Sequence, residues 1–349
     1  MIRLMPAALA LLLAGCATMP AAPTTPAATV TARGETVPVG TADADAADDP
    51  AIWRNAANPA ASLIVATDKK AGLYVYGLNG QRRSYTQVGL VNNVDLRDGV
   101  AIGGSAGVLV AASNRTDLTT AAVSMFRLDT ASGALTPLGS VPAGAGEAYG
   151  FCLGRVDGAT YGFVVMKDGA IVQVALDLSG AAPRGSIVRR MKLGTQSEGC
   201  VVDDRTGTLF VGEEDVGIWR FDARPTGDTA GRPFARVDGR TLVADVEGLA
   251  IAPDGSSGGY LVASSQGDNA YALFRLADGS PAGRFRIAAG RFGATSETDG
   301  IELALGDFGP DYPGGLFVAQ DGDNRPAAQN FKLVAWDDIR RSALETPLP

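Results

Sequence analysis

Short apolar runs recur along the whole chain, and each is closed by glycine, aspartate or asparagine. The runs are rich in Val, Leu, Phe and Tyr, as in SLIVATD, GVLVAAS, YGFVVM, TLFVGEED and GLFVAQD. Their length and composition are those of β-strands. Convincing helical periodicity is absent over any window of useful length. The pattern therefore predicts an all-β protein with glycine-rich turns, which means a sandwich, a barrel or a propeller.

Chain length separates these three architectures. About 300 residues in one all-β unit is too long for a simple sandwich and fits about six four-stranded antiparallel blades of roughly 50 residues each. A weak internal sequence repeat supports the blades. Apolar strands end in the polar clusters ATDK (66–69), AASNR (111–115), VGEED (211–215), ASSQG (263–267) and VAQDG (318–322). We therefore predict a six-bladed β-propeller over residues 38–345, with equivalent strand ends meeting on one rim around the axis.

The N-terminal sequence MIRLMPAALALLLAGC has one basic residue, Arg3, then a short apolar run and LAGC, which resembles a bacterial lipobox. The run is too short to span a bilayer, so we expect residues 1–15 to be a cleaved lipoprotein signal peptide and Cys16 to be lipidated. The alternative is an ordinary signal peptide in which Cys16 has no role. Residues 16–37, rich in Ala, Thr and Pro, predict a flexible tether. We expect an exported protein, lipid-anchored to a bacterial membrane in the periplasm or at the cell surface.

The rest of the composition narrows the chemistry. Export leaves the pair Cys152 and Cys200, which favours a disulfide in an oxidising compartment, with two buried thiols as the alternative. A net charge of −8 and a pI near 4.7 argue against nucleic-acid binding, which needs a basic face. The chain contains no histidine. This excludes imidazole mechanisms, including Ser-His-Asp hydrolysis, phosphohistidine chemistry and His-rich zinc sites.

Carboxylates are concentrated at the predicted strand ends and turns. They include Asp45, Asp48, Asp49, Glu147, Glu198, Asp203, Asp204, Glu213, Glu214, Asp245, Glu247, Asp299, Asp321 and Asp323. Packed at one site, they would raise one another's pKa and lose charge unless a cation offset their repulsion. Hard oxygen ligands of this kind suit Ca²⁺, and no EF-hand spacing is present, so the site would be discontinuous. A single acidic residue could equally be a solvated turn residue; the set indicates calcium.

Basic residues fall at the same strand ends. Lys69 and Lys70 follow Asp68, Lys167 closes YGFVVM, and Arg115 closes GVLVAAS. Cations beside a bound metal are useful if an anion also binds there. Lysine offers a point charge to phosphate and arginine a bidentate fork, so these residues predict a phosphate site, with ordinary surface turns as the alternative.

A dozen collinear segments between about residues 40 and 340 resemble the β-propeller phytases. They include DDPAIW, TDKKAGLYVY, NNVDLR, QSEGCVVDD, DVEGLAI, SSQG, SETDGIEL, GLFVAQDGDN and QNFKLVAW. The resemblance implies a monomeric, calcium-dependent phosphatase that holds several Ca²⁺ ions and acts on myo-inositol hexakisphosphate (phytate), expected as its calcium complex. It also implies attack on phosphorus by a calcium-bound water, which requires neither histidine nor a covalent phosphoenzyme.

The same motifs imply roles for individual residues. Metal ligands at the cleavage site fall on Asp49, Glu198, Glu214, Asp245 and Glu247, with Gln266 in the same constellation. Contacts to substrate phosphate fall on Lys69, Lys70, Arg115, Tyr149, Lys167 and Gln266. Ligands of further calcium fall on Asp45, Asp48, Asn93 and Asp95, and structural calcium positions on Asp299 and Asp321. Glu198, Glu214, Lys167 and Arg115 are the expected catalytic residues. The segment DNRPAA (323–328) is shorter than its family counterpart, which weakens the case for calcium at Asp321.

Two other functions compete with this one. A propeller lactonase would need an axial metal site and no phosphate-binding lysines, and the basic set speaks against it. A non-enzymatic propeller lipoprotein acting as a scaffold would leave the shared acidic and basic strand ends unexplained. We therefore predict an enzyme, a phytase of the 3-phytase type.

Overall fold

The computed structural model describes residues 24–42 and 45–345. In these residues, six sheets, each with four antiparallel strands, surround one axis. In five sheets the four strands follow one another in the sequence, and in the sixth an N-terminal strand completes the sheet. The predicted six-bladed β-propeller is therefore confirmed. No helix among them is long and apolar enough to cross a membrane. The expected signal peptide and Cys16 lie outside the described residues.

Two short strands precede the first blade: β1 (Ala28–Thr31) and β2 (Gly34–Glu35). β1 adds a fifth, parallel strand to the fifth blade, and β2 supplies the outermost strand of the sixth blade. The predicted tether of residues 16–37 therefore extends too far toward the C-terminus. Two outer strands offer this segment backbone hydrogen bonds, and its apolar side chains Val30 and Ala32 are buried.

Each of the first three blades consists of four strands, which follow one another from the axis outwards. Blade one contains β3 (Ala47–Trp53), β4 (Leu63–Asp68), β5 (Gly72–Gly77) and β6 (Arg82–Gln87). Blade two contains β7 (Val91–Ile102), β8 (Ser105–Asn114), β9 (Thr120–Leu128) and β10 (Leu135–Ala145). Blade three contains β11 (Ala148–Val156), β12 (Ala159–Met166), β13 (Ala170–Asp177) and β14 (Arg184–Lys192).

The last three blades follow the same plan. Blade four contains β15 (Ser197–Asp203), β16 (Thr208–Glu213), β17 (Gly217–Asp222) and β18 (Arg232–Arg236). Blade five contains β19 (Val246–Asp254), β20 (Gly258–Ser265), β21 (Ala270–Arg275) and β22 (Pro281–Ala288). Blade six contains β23 (Ile301–Leu305), β24 (Gly315–Asp321) and β25 (Asn330–Ala335). The helical pieces are the 3-10 turns Pro59–Ala61 and Gln266–Asp268, the α-helix Trp336–Ile339 and the π-turn Arg340–Glu345.

The ring is closed by pairing the two ends of the propeller. β2 lies antiparallel to β25, with Glu35 opposite Lys332. Apolar clusters fill the interfaces between neighbouring blades, as at Tyr76 and Phe331 between blades one and six and at Phe163 and Leu209 between blades three and four. The structure also joins Cys152 and Cys200 by a disulfide, with the two Cα atoms 5.7 Å apart. This bond ties the inner strands of blades three and four.

The inner strands β3, β7, β11, β15, β19 and β23 contact one another in sequence around the axis. Near the start of five of them the pairing register slips, as between Ala47 and Pro50, Val91 and Val94, or Ser197 and Cys200. Such bulges leave residues out of the ladder and turn their side chains in new directions. The residues left out include Asp48, Asn92, Tyr149, Glu198 and Glu247, which belong to the site described next.

Candidate active site

Five inner strands and the segment just before β23 each present one polar residue at an equivalent position: Asp48, Asn92, Tyr149, Glu198, Glu247 and Asp299. In four blades the next residue is glycine, as in Glu198-Gly199. A Cβ on Gly150 would lie 1.8 Å from the carbonyl oxygen of Glu198, and one on Gly199 would lie 2.1 Å from that of Glu247. Only glycine permits this approach, so the inner strands bring their carboxylates together.

The carboxylates converge most closely at Glu198, Glu214 and Glu247. Each offers one oxygen, these oxygens lie within 4.8 Å of one another, and the three side chains are buried. Oε1 of Glu214 and Oε2 of Glu247 accept no hydrogen bond from any described residue, and the same holds for Oδ1 of the fully buried Asp48. A buried carboxylate oxygen without a donor is costly. This set therefore fits a hard cation such as Ca²⁺.

Electrostatics at the cluster agree with this fit. Burial, together with the charge of Asp299, raises the pKa of Glu198 to about 7. Burial and then the charge of Glu198 raise the pKa of Glu247 well above its usual range. For Asp48, burial and the charges of Glu198 and Asp299 outweigh the nearby Lys69, so its pKa is also raised. Without a cation, burial and mutual repulsion favour the protonated forms of these carboxylates, and a bound divalent ion would favour the ionised forms.

Lys69 lies inside the acidic rim. Its ammonium Nζ is 3.0 Å from Oδ2 of Asp299 and 3.3 Å from Oδ2 of Asp48, and it also pairs with Asp45. Burial opposes its charge, but Asp48 and Asp299 raise the pKa of Lys69 far above its usual value. Lys70 is more exposed and lies 3.3 Å from Oδ2 of Asp45. The exposed Asp45 is thus held at the rim by both lysines.

A second group of cations surrounds Tyr149. The guanidinium carbon of Arg115 lies 5.7 Å from the ring centroid, and Nζ of Lys167 lies 5.1 Å from it. Arg115 also donates to Oε1 of Glu147 at 3.0 Å. Cation–π contact and one ion pair hold these two positive groups beside the carboxylate cluster. An anion such as phosphate would be bound between them and the metal ligands.

Gln266 and Gln196 connect the cluster to the loops around it. Nε2 of Gln266 donates to Oδ1 of Asp299 at 2.8 Å, and its backbone N–H donates to the carbonyl of Asp245 at 3.0 Å. Nε2 of Gln196 donates to Oε2 of Glu214 at 2.9 Å. Gln196 therefore holds the carboxylate of Glu214 in place, and Gln266 holds both the carboxylate of Asp299 and the backbone at Asp245.

The chain matches the protein-family model described as Phytase over residues 1–347. The chain belongs to the phytase family. A 3-phytase of Bacillus subtilis (strain 168) is 40% identical over 333 residues, covering 91% of this chain and 86% of that relative. The predicted family and the prediction of a 3-phytase-type enzyme are thereby confirmed.

One solved structure adds information on fold alone. Kuenenia stuttgartiensis hydrazine synthase has a TM-score of 0.52 at 8% identity, with 83% of each chain covered. At that identity the likeness concerns the propeller architecture and carries nothing about chemistry.

Not every ligand predicted for this phytase-family chain reaches the cluster. Asp95 lies deeper in the axial channel, where its carboxylate accepts hydrogen bonds from Arg97 at 2.9 Å and from the backbone N–H of Leu153 at 2.8 Å. Asp49 accepts the N–H of Val94 at 3.0 Å. Asn93 is buried at the margin of the cluster, where its backbone N–H donates to Ser113 at 3.0 Å and its side-chain amide accepts a hydrogen bond from Nδ2 of Asn92 at 2.9 Å. Calcium coordination by these three residues stays a prediction.

Asp321 of this phytase-family chain lies apart from the cluster. Its Oδ2 is 3.1 Å from Nζ of Lys332, whose side chain is fully buried and which also bonds Oε2 of Glu35 at 2.6 Å. The other oxygen, Oδ1, faces the backbone N–H groups of Ser296 and Asp323 at 3.4 and 3.3 Å. An ammonium group thus stands beside the carboxylate where a structural calcium was expected.

Asn92 is a site residue that is absent from the sequence-based predictions. Its Nδ2 donates to Oε1 of Glu198 at 2.6 Å, and the side chain is buried. The signal is present in the segments DDPAI, NNVDL, YGFCL, EGCVV, EGLAI and DGIEL, which align one per blade. That alignment makes Asn92, rather than Asn93, the counterpart of Asp48 and Glu198. The repeated polar clusters described in the sequence analysis, such as ATDK (66–69) and VGEED (211–215), lie instead mainly at the ends of the second strands of the blades.

Proposed function

We propose that the protein is a calcium-dependent phosphomonoester hydrolase that releases phosphate from phytate. The observation that carries the proposal is the buried set Glu198, Glu214 and Glu247, with carboxylate oxygens that lack donors in the described structure. Its position beside the cations Arg115 and Lys167 supports an anionic substrate. Phytate as that substrate is supported by membership of the phytase family.

Calcium would be held first by Glu198, Glu214 and Glu247. Asp48 and Asp299 lie near Glu198, and Asp245 lies near Glu214, so we propose that more than one ion binds. Bound calcium supplies positive charge that neutralises ligand carboxylates and phosphoryl oxygens, and it lowers the pKa of water. Asn92 and Gln196 orient Glu198 and Glu214 by hydrogen bonds of 2.6 and 2.9 Å. These amides hold the carboxylates in place before metal and substrate arrive.

The chain's own cations bind and orient the substrate. Lys167 carries no ion pair to any carboxylate of the described residues, so its ammonium is available to a phosphate. Nη1 of Arg115 is paired with Glu147, and the remaining N–H groups of its guanidinium can donate to a phosphate. Tyr149 holds both at fixed distances. The protein carries a net charge of −8, but screening limits repulsion beyond about 8 Å at physiological ionic strength, and the local sign at this rim is set by these groups and by calcium.

The test is phosphate release from phytate, with added calcium and then with a chelator in excess. We expect release that depends on calcium and is lost by Glu198→Gln and Glu214→Gln. Asp177→Asn is the matched control, because Asp177 is an exposed carboxylate paired with Arg184 on the outer edge of blade three. Absence of release in both conditions, or full activity of both glutamine variants, would refute the proposal.

We also propose that the protein is exported, lipid-anchored at Cys16, and monomeric. The Cys152–Cys200 disulfide supports an oxidising compartment. Mass spectrometry of the N-terminal peptide from isolated membranes would show a diacylglyceryl modification on Cys16. An unmodified N-terminus created by cleavage at another position would contradict the anchor, and size-exclusion chromatography with light scattering would test the monomer.

A further inference from the structure

An arginine is buried in blade five, away from the carboxylate cluster. The side chain of Arg284 is 1% exposed, and its Nη2 donates to both oxygens of Asp268, at 2.8 and 2.6 Å. Nη1 donates to the carbonyl of Thr25 at 2.8 Å. A buried ion pair is an inefficient way to stabilise a fold, because desolvation offsets most of the attraction. The pair therefore calls for a second role.

Asp268 is the last residue of the 3-10 turn Gln266–Asp268, and its side chain anchors the turn to neighbouring strands. Besides Arg284, its carboxylate accepts hydrogen bonds from Oγ of Ser265 at 2.8 Å and from Nη2 of Arg286 at 3.0 Å. Oγ of Ser265 in turn accepts the N–H of Val243 at 2.8 Å. One carboxylate thus links the turn to the loop that leads into β19.

The same turn carries Gln266 to the rim. Gln266 donates to Oδ1 of Asp299 and, through its backbone, to the carbonyl of Asp245. Gly267 packs so tightly that a Cβ there would lie 1.8 Å from the carbonyl of Ala244. The turn therefore contacts two predicted calcium ligands, and a shift of the turn would move both.

A single 3-10 turn has little stability of its own. The residue after it, Asn269, ends the turn with a φ of 52°, in the left-handed region, which asparagine tolerates. Neither feature keeps Gln266 in place without help from neighbouring side chains. Asp268 provides that help, and Arg284 is the donor that engages both of its oxygens from inside the blade.

We propose that Arg284 is a positioning residue for the active site. Acting through Asp268, it holds Gln266 against Asp299 and Asp245 and thereby sets the affinity of the rim for calcium. This inference rests on the proposed calcium-dependent function. Arg284 contacts no substrate-binding or metal-binding side chain directly, so its effect is transmitted by the turn Gln266–Asp268.

The experiment compares Arg284→Lys, which keeps the charge but not the fork, with Asp268→Asn, Gln266→Ala and the double variant Arg284→Lys/Gln266→Ala. Calcium affinity is measured by titration calorimetry on the full chain, and the calcium midpoint of phytate hydrolysis is measured in parallel. Loss of a residue that orients metal ligands typically weakens metal binding about 10- to 100-fold, so we expect at least about tenfold for Arg284→Lys. In the double variant the loss should not exceed that of Gln266→Ala alone.

Arg286→Gln is the matched control, because Arg286 donates to the same carboxylate from a half-exposed position. We expect its calcium affinity to stay within about twofold of the parent protein. If Arg284→Lys lowers only the melting temperature, or if its effect multiplies with that of Gln266→Ala, the inference is overturned. If Arg284→Lys fails to fold, the isosteric Asp268→Asn gives the same answer.

The two readouts keep this inference separate from the proposed function. A parent protein that binds calcium but releases no phosphate would refute the proposed function while leaving the positioning role measurable by calorimetry. A parent protein that is active, with unchanged affinity in Arg284→Lys and Asp268→Asn, would refute the positioning role alone. A parent protein that binds no calcium would refute both.

Discussion

Removal of calcium should make the stability of this protein fall as pH rises from about 5 to 8. In the metal-free state the pKa of Glu198 is raised from 4.5 to about 7, chiefly by burial and then by Asp299, and the pKa of Glu302 in the axial channel is raised to about 8. A group whose pKa is higher in the folded state favours folding while it is protonated. That contribution is complete below about pH 4.5 and is lost as pH rises through the folded-state pKa.

The size of the effect follows from the same values. For Glu198 the difference between 4.5 and about 7 corresponds to about 3 kcal/mol, at about 1.4 kcal/mol per pH unit. At an unfolding entropy of about 2.1 cal/mol/K per residue, a domain of about 300 residues loses roughly 1.5 °C of melting temperature per kcal/mol, so Glu198 alone should lower the midpoint by roughly 5 °C. If calcium binds the ionised carboxylates as proposed, it should remove this loss, because a ligand of the native state raises its stability.

The assay is differential scanning fluorimetry between pH 5 and 8, with calcium and with chelator. We expect the gap between the two melting temperatures to widen as pH rises. Carboxylates with a lowered pKa do not contribute between pH 5 and 8. Hydrogen bonds from Ser179 and Arg184, for example, lower the pKa of Asp177 to about 2, well below this pH range. A chelated protein whose melting temperature is constant or rises from pH 5 to 8 would refute the reasoning, as would a gap independent of pH.

Three further predictions concern single contacts. Lys167→Ala should lower phytate turnover and leave the melting temperature unchanged, because Lys167 is an exposed cation beside Tyr149 that we propose binds phosphate; unchanged kinetics would contradict its assignment. Lys332→Met should destabilise the fold by about 3–5 kcal/mol in urea titration, because it leaves the Asp321 carboxylate buried without a counter-charge; a loss below about 1 kcal/mol would show that the pair adds little. The double variant Cys152→Ala/Cys200→Ala should lose about 2–5 kcal/mol, because the disulfide closes a 48-residue segment, and reduction of the parent protein should have the same effect.

The propeller could be predicted from sequence because its determinants are local. Apolar runs of strand length, turn residues between them and total length together specify the blades. The start of the ordered domain could not be predicted in this way. β1 and β2 are short and polar on one side, and they become strands only because β22 and β25, about 250 to 300 residues later in the chain, leave their edges open. Pairing over such separations leaves little trace in the segment itself.

The sequence predicts an acidic site at the strand ends, but it does not predict which carboxylates remain without a cationic partner. Asp95 and Asp321 resemble Glu198 in sequence, since each is an acid at or near a strand end. In the structure Asp95 is bonded to Arg97 and Asp321 to Lys332, whereas Glu214 and Glu247 keep oxygens free of any donor in the described residues. The difference lies in which cation the fold brings to each carboxylate. Side chains from separate blades decide that, and sequence spacing does not record it.

The glycines of the inner strands connect the fold to the proposed chemistry. Because Gly150, Gly199, Gly248 and Gly300 permit backbone contact that no side chain would allow, the inner strands are drawn together at the end where Glu198 and Glu247 lie. The carboxylates cannot spread apart to relieve their repulsion without opening the ring. A cation of high charge relieves it in place. The proposed calcium affinity and the closure of the propeller would therefore depend on one packing arrangement, and a change that loosens the packing should weaken calcium binding.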